Sequence, residues 1–214
     1  MHDAGTFGSM PAPTSPGRVG HAGLSVERIT AAALEIIRRV GVEGLTMRVL
    51  ADELGVTVAA AYRHLPNREA LLELVLDSVL STVGTPDPSR GTPLERLAMI
   101  TRASFQAILE HPGLDTLVTR STRHTPNTRR LREATISLLV EAGFDRDTAE
   151  RVEEVRHRLW LGNVAVATVT ASRLQAQNAS PRKVKAEQSR SSTQLDFAIE
   201  LLDAGMRSSL AKGR

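Results

Sequence analysis

Tyr62, Arg63, His64 and Arg68 lie close together in the chain, behind three consecutive small residues, Ala59, Ala60 and Ala61. Phenol, guanidinium and imidazole groups all donate hydrogen bonds to anionic oxygens, and phosphate oxygens accept from such a set without any covalent step. The alanines carry almost no side chain, so the backbone there can approach a bulky partner closely. A tyrosine beside alanines on a short, partly exposed helix suits a surface contact. The alternative is a half-buried ring at a helix–helix contact. Thr46 and Arg48 upstream, with Thr57 and Val58 just before the alanines, complete the candidate set.

The elements that position these residues are two short helices and a turn. Thr46 is a plausible N-cap, and Val49, Leu50 and Leu54 share one apolar face, which predicts a helix from about Thr46 to Leu54. Gly55 suits the left-handed backbone that ends it. Thr57 caps a second helix, Val58 to Leu65, and Pro66 stops it. A helix of that size fits a DNA major groove about 12 Å wide. A longer helix precedes the pair, with Ser25 as N-cap, Val26, Ile29, Ala33, Ile36, Ile37 and Val40 as its apolar stripe, and Gly41 as its end. A fourth, about Arg68 to Val83, has a broad apolar face that suits packing against two bodies.

Gly44-Leu45-Thr46, the run Ala51 to Thr57, Ala61 to Leu65 and Asn67 to Leu72 together resemble the DNA-binding domain of tetracycline-repressor (TetR) family regulators. The resemblance is strong from about Ser25 to Leu80 and recognisable from about Thr92 to Leu210. It implies an all-α protein with an N-terminal three-helix helix-turn-helix domain and a C-terminal helical domain that binds a small molecule and dimerises. It also implies a double-stranded DNA operator, a homodimer, and a DNA-binding set of Thr46, Arg48, Thr57, Val58, Ala60, Tyr62, Arg63, His64 and Arg68. Leu65 stands where the family often has Phe, Arg68 where it often has Lys, and Val58 where a polar residue is common. The last departure bears on which bases are read.

Charge and composition narrow the classes. The net charge is +3, yet the stretch Ser25 to Leu80 holds six arginines and eight acidic residues. That balance suits a specific binder more than an electrostatic sponge for nucleic acid. There is no cysteine, hence no disulfide or thiolate metal site. No apolar run reaches the roughly 18 residues of a membrane span, and the expected location is the cytoplasm. No nucleophile–base pair, metalloprotease motif or Gly-rich phosphate loop is present, so neither catalysis nor a metal or cofactor is expected.

The expected organisation is a disordered arm over residues 1–24, a helix-turn-helix domain over 25–83 and a ligand-binding and dimerisation domain over 92–211. Arg18 and His21 in the arm are possible contacts to the DNA backbone. Thr92, Pro93 and Glu95 form a helix start after the turn-rich run 84–91. A short helix from Leu114 to about Thr122 and another after Pro126 follow. Asp145 caps the longest helix, to about Leu174, and Gln194 to Leu210 form the last. Gly162, Ala165 and Ala167 are small enough for close helix contact, and Leu195, Ile199, Leu202 and Met206 line one side of the last helix. These two helices from each subunit would make a four-helix dimer interface. The polar stretch 175–193 reads as a flexible loop, with five basic residues counted from Arg173 against one acid, Glu187.

Candidates for the small-molecule site are Phe105, Leu109, Leu117, Leu138, His157, Trp160, Asn163 and Val164. Trp160 is the single tryptophan; it suits stacking on a ligand as well as it suits a core. The leading reading is a ligand-responsive repressor. The alternative is a small-molecule-sequestering protein whose helix-turn-helix no longer works; the intact Thr57, Tyr62, His64 and Arg68 count against it.

Overall fold

A computed structural model describes residues 24–111, 113–114, 117–118 and 125–212. Among them are eight helices and no strand. The expected N-terminal arm, with Arg18 and His21, lies outside the described residues, as does most of the short helix expected after Leu114.

Local rules start and stop the helices. Helix α1 (Val26–Gly44) begins at Ser25, whose Oγ accepts from Arg28 N at 3.3 Å, and it breaks at Gly41, where φ is +77°. It buries Ile29, Ala33, Ile36 and Ile37. Val26 and Val40, expected in that stripe, are instead exposed. One sits in the first turn and the other beside the break, so neither has helix α2 or α4 opposite it. Helix α2 (Met47–Leu54) starts at Thr46, which accepts from Val49 N at 3.2 Å. It closes at Gly55 with φ +67°, where Val56 N donates to Ala51 O at 3.0 Å. Helix α3 (Val58–His64) follows at once, with Thr57 accepting from Ala60 N at 3.1 Å. Helix α4 (Arg68–Ser81) starts at Asn67, whose Oδ1 accepts from Ala70 N at 2.8 Å.

Helix α4 buries Leu71, Leu72, Val75, Leu76, Val79 and Leu80. Those side chains point to more than one side, and they join the three-helix unit to the larger domain in one contiguous apolar core that runs from Ile29 to Leu195. Two further ties cross the same boundary. Gly113 (φ +95°) lies so close to the α1–α2 turn that a methyl group on it would come within 2.8 Å of the Val42 side chain. Asp77 and Leu80 of α4 are gripped by the next domain, as described below.

The second domain begins with helix α5 (Pro93–Leu109). Its capping box is complete: Glu95 N donates to Thr92 Oγ1 at 3.3 Å and Thr92 N donates to Glu95 Oε2 at 2.7 Å. The bonds from the Thr92 backbone and hydroxyl hold the Glu95 carboxyl below the usual carboxylate range. Helix α6 (Pro126–Glu141) starts at Thr125. Helix α7 (Arg146–Ala176) starts at Asp145, which accepts from Thr148 N at 2.9 Å.

Helix α8 (Pro181–Lys212) corrects the expectation of a flexible loop over 175–193. Only a short turn joins α7 to α8, with Asn178 in the left-handed region at φ +49°. Pro181 occupies the first helical position, where its fixed φ favours the helix. The Lys, Arg, Glu, Gln and Ala that follow are good helix formers. Val184, Glu187, Gln188 and Ser191, at helical spacing, lie in a groove against Leu109 of α5 and Ala167 and Ala171 of α7. The segment is polar because most of its faces meet solvent.

The pair α7–α8 leaves a second apolar surface uncovered. On α7, Val155, Leu159, Val166 and Val169 are exposed, with Gly162 between them, at alternating spacings of four and three. On α8, Phe197 and Leu201 are exposed, at 58% and 60%. Leu195, Ile199, Leu202 and Met206 share one side of α8, and that side turns inward against α5 and Trp160. Ala167 is buried as well.

Candidate nucleic-acid interface and ligand cleft

Helix α3 buries only Ala61. Val58, Ala59, Tyr62 and Arg63 therefore stand on its outward side, with Tyr62 48% exposed. His64 is also exposed, and Ala60 is half-buried. Thr46 and Thr57 use their hydroxyl oxygens as helix caps and are exposed at the starts of α2 and α3. Arg48 is exposed on the first turn of α2.

Other arginines of this domain are already engaged. Glu35 pairs with Arg38, and Glu53 with Arg39 at 2.7 Å. Arg28 donates to Leu54 O at 3.3 Å. Arg48, Arg63 and His64 have no ion pair among the described residues. The basic groups left unpaired on α2 and α3 are therefore Arg48, Arg63 and His64, while α2 also carries the exposed Asp52 and Glu53.

Arg68 is the exception in the expected DNA-binding set. Its Nε donates to Leu45 O and its Nη2 to Val42 O, both at 2.7 Å, while Glu43 lies 3.8 Å away. The guanidinium is turned inward and staples the α1–α2 turn. Val42 O also accepts from Leu45 N at 3.1 Å, whereas Leu45 O, just past the end of α1, takes its bond from Arg68. Arg68→Met should therefore cost about 2 kcal/mol of stability, because it leaves Leu45 O unmatched and removes the second donor to Val42 O. Arg63→Met should leave stability unchanged. Urea unfolding of both variants checks the contrast, and equal midpoints would refute the staple.

A cleft with about 660 Å³ of empty space, open mouth included, lies inside the second domain. Leu80 of α4, Ile100 and Ser104 of α5, Leu131, Arg132 and Thr135 of α6, and His157 and Trp160 of α7 line it. Of the residues expected at a ligand site, His157 and Trp160 are here, with ring centroids 5.9 Å apart and planes inclined by 18°. Trp160 is buried, and its Nε1 has no hydrogen-bond acceptor among the described residues. Beneath them Arg156 donates to Glu153 at 2.7 Å and to Thr101 at 3.1 Å, a buried ion pair.

The other expected ligand residues are elsewhere. Phe105, Leu138 and Val164 are buried in the core and do not line the cleft, and Leu117 is buried too. On α5 the cleft takes Ile100 and Ser104; Phe105 points with Leu97 and Ile108 into the core. Leu109 lies in the groove under α8. Asn163 donates to Leu159 O at 2.9 Å and faces an outer groove with Val166 and Arg190. The spacing of Thr128, Leu131, Arg132 and Thr135 marks one face of a helix, and that was the available signal for the α6 side of the cleft.

The first two turns of α6 also clamp α4. Asn127 N donates to Asp77 Oδ1 at 2.7 Å, and Asn127 Nδ2 to Asp77 Oδ2 at 2.9 Å. Arg130 donates to Asn127 Oδ1 at 3.0 Å, to Leu80 O at 3.2 Å and to Val83 O at 2.8 Å. Leu80 thus lines the cleft with its side chain and holds the clamp with its carbonyl.

A capped helix pair with an outward cationic helix, joined by one lever helix to an all-helical domain with a cleft, defines a helix-turn-helix transcriptional regulator. Residues 29–75 match the family model of bacterial regulatory proteins of the tetR family, and residues 85–204 match the tetracyclin repressor-like C-terminal domain. The chain belongs to the TetR family. It is 30% identical over 182 residues to the class A tetracycline repressor from transposon 1721 of Escherichia coli, covering 84% of this chain and 82% of that one. Against some other curated relatives the match spans about half or a third of their length, at 52% and 34%. Apo ActR from Streptomyces coelicolor has a similar structure, with a TM-score of 0.73 and 25% identity over 90% of this chain and 99% of that one. ActR has also been solved with actinorhodin, at a TM-score of 0.71 and 25% identity over 88% and 99% of the two chains. BioQ solved with its natural double-stranded DNA operator superposes with a TM-score of 0.67 and 27% identity over 87% and 99%. Among the described residues no helix is long and apolar enough to cross a membrane.

Proposed function

We propose that this chain is a homodimeric repressor that binds a palindromic operator in the cytoplasm and is released when a small molecule enters the cleft. The observation that carries this reading is the charge sorting on the helix-turn-helix. Arg38 and Arg39 are neutralised by acids and Arg28 is bound to a carbonyl, while Arg48, Arg63 and His64 stand unpaired beside the exposed Tyr62. Those groups would meet phosphates, and the outer side of α3 would meet base edges. Val58 and the alanines offer apolar contact there, which suits a thymine methyl. BioQ's operator complex and ActR's complex with actinorhodin support both halves of the reading.

The exposed apolar stripe on α7 and α8 supports a dimer built by self-packing of those two helices into a four-helix interface. Two copies would set two α3 helices at a spacing near the ~34 Å of one DNA turn. Ligand in the cleft would press on Leu80 and on α6, and the Asp77–Asn127–Arg130 clamp would carry that shift to α4. A coupling of about 1–3 kcal/mol is enough for release.

Fluorescence anisotropy on labelled DNA from upstream of the chain's own gene, titrated with salt and with random competitor, tests the reading. Saturable binding by two subunits that survives competitor supports it. Binding no tighter than to random DNA, repeated on fragments selected genome-wide, would end it. Tyr62→Ala should weaken operator binding by about tenfold, one lost phosphate contact at an interface anchor. Dimerisation and melting temperature should not change, since the ring packs no core. A variant that became monomeric or molten would place Tyr62 in the structure instead.

A further inference from the structure

We infer that the cleft takes an organic anion, a flat apolar body carrying a carboxylate or sulfonate that pairs with Arg132. This rests on reading the cleft as the effector site. The charges around the cleft decide the sign of the ligand. Glu153 is bound by Arg156 at 2.7 Å. Glu154 is bound by Arg158 at 2.7 Å. A cationic ligand would have to displace one of these arginines. Arg132 is half-buried in the wall and makes no ion pair with any described acid. Among the described lining residues it is the one arginine without an ion pair, and two oxygens of a carboxylate or sulfonate match its fork.

The polar atoms add a second requirement. The indole N–H of Trp160, 6% exposed, has no acceptor among the described residues. Buried donors are rarely left so, and a ligand carbonyl or a second anion oxygen would complete it. The hydroxyl protons of Ser104 and Thr135 are already given to the backbone carbonyls of Ile100 and Leu131. Their oxygens remain only as acceptors. The cleft therefore offers donors in Arg132 and Trp160, apolar walls in Leu80 and Leu131, and a mouth open to solvent through which a ligand can extend.

Two naphthalene dyes of the same body test this directly: anilinonaphthalene sulfonate, an anion, and phenylnaphthylamine, which is neutral. Because Trp160 is the single tryptophan, energy transfer from indole reports a dye in its neighbourhood. The anion should bind about tenfold more tightly than the neutral dye, the value of one charge-assisted contact. R132Q should remove that difference and leave the neutral dye unchanged, while R132K should restore most of it. Equal affinities in the parent, or an anion preference that R132Q does not alter, would overturn the anion while leaving the cleft as an effector site. If neither dye bound near Trp160, the inference and the effector reading would both fall. Circular dichroism confirms that the variants are folded, and none of these outcomes depends on DNA.

Discussion

Val166→Glu should make the proposed dimer monomeric and abolish operator binding at concentrations that saturate the parent. In a single copy Val166 is 69% exposed and supports no core, so the substitution leaves the fold of one chain intact. It stands in the middle of the α7 stripe, between Gly162 and Val169, where a second copy would cover it. A twofold interface repeats every change, so two carboxylates would be buried without partners. Each costs about 3 kcal/mol or more, which raises the dimer dissociation constant by at least about a thousandfold. A monomer reads one half-site only, and the affinity that comes from joining two half-sites is lost. Phe197→Asp on α8 should act in the same way, since Phe197 is 58% exposed. Sedimentation equilibrium measures the mass and circular dichroism the helicity. A dimer that survived both substitutions would exclude the α7–α8 surface as the interface.

What could be read in the chain before folding follows from how local the governing rule is. Thr46, Thr57, Thr92 and Asp145 cap helices because a side-chain oxygen reaches an amide three residues on, and that depends on the neighbouring sequence alone. Gly55 and Gly41 end helices for the same kind of reason. Arg68 looked like a phosphate ligand because its residue type and position fit one. Its actual acceptors, Leu45 O and Val42 O, lie in another helix connection and follow only from tertiary packing. The start of α8 was hidden by composition, since a polar helix lying on one flank of the protein resembles a loop in charge and hydropathy. In the cleft, the aromatic pair His157 and Trp160 announced itself by residue type. Arg132 did not, because an arginine on an amphipathic helix reads as solvated surface until the fold shows which side faces a cavity.

Asn127→Ala should uncouple the proposed ligand response from DNA binding while leaving each domain folded. The first two turns of α6 have two jobs on two faces. Leu131 and Arg132 line the cleft, and Asn127 and Arg130 hold Asp77 and the carbonyls of Leu80 and Val83 at the end of α4. The Asp77 carboxylate also sits at the amino end of α6, where the helix dipole favours a negative charge. A ligand that displaces this part of α6 would therefore pass that shift to α4 through the clamp. Removing the Asn127 side chain deletes its bond to Asp77 at 2.9 Å and the acceptor that orients Arg130 at 3.0 Å. Operator affinity without ligand should stay within about threefold, because the DNA surface and the apolar seat of α4 are untouched. The coupling, about 1–3 kcal/mol in the parent, should fall close to zero. Linkage gives two readouts of that one quantity: the anionic naphthalene dye should no longer release operator, and operator should no longer weaken the dye. Arg130→Met should produce the same loss by freeing Leu80 O and Val83 O, with some loss of stability as well. If Asn127→Ala responded to ligand as the parent does, the signal would reach the DNA-binding domain by another route, directly through Leu80 in the cleft wall or through the Gly113–Val42 contact. Gly113→Ala, which forces a methyl group against Val42, would then be the variant that disturbs it.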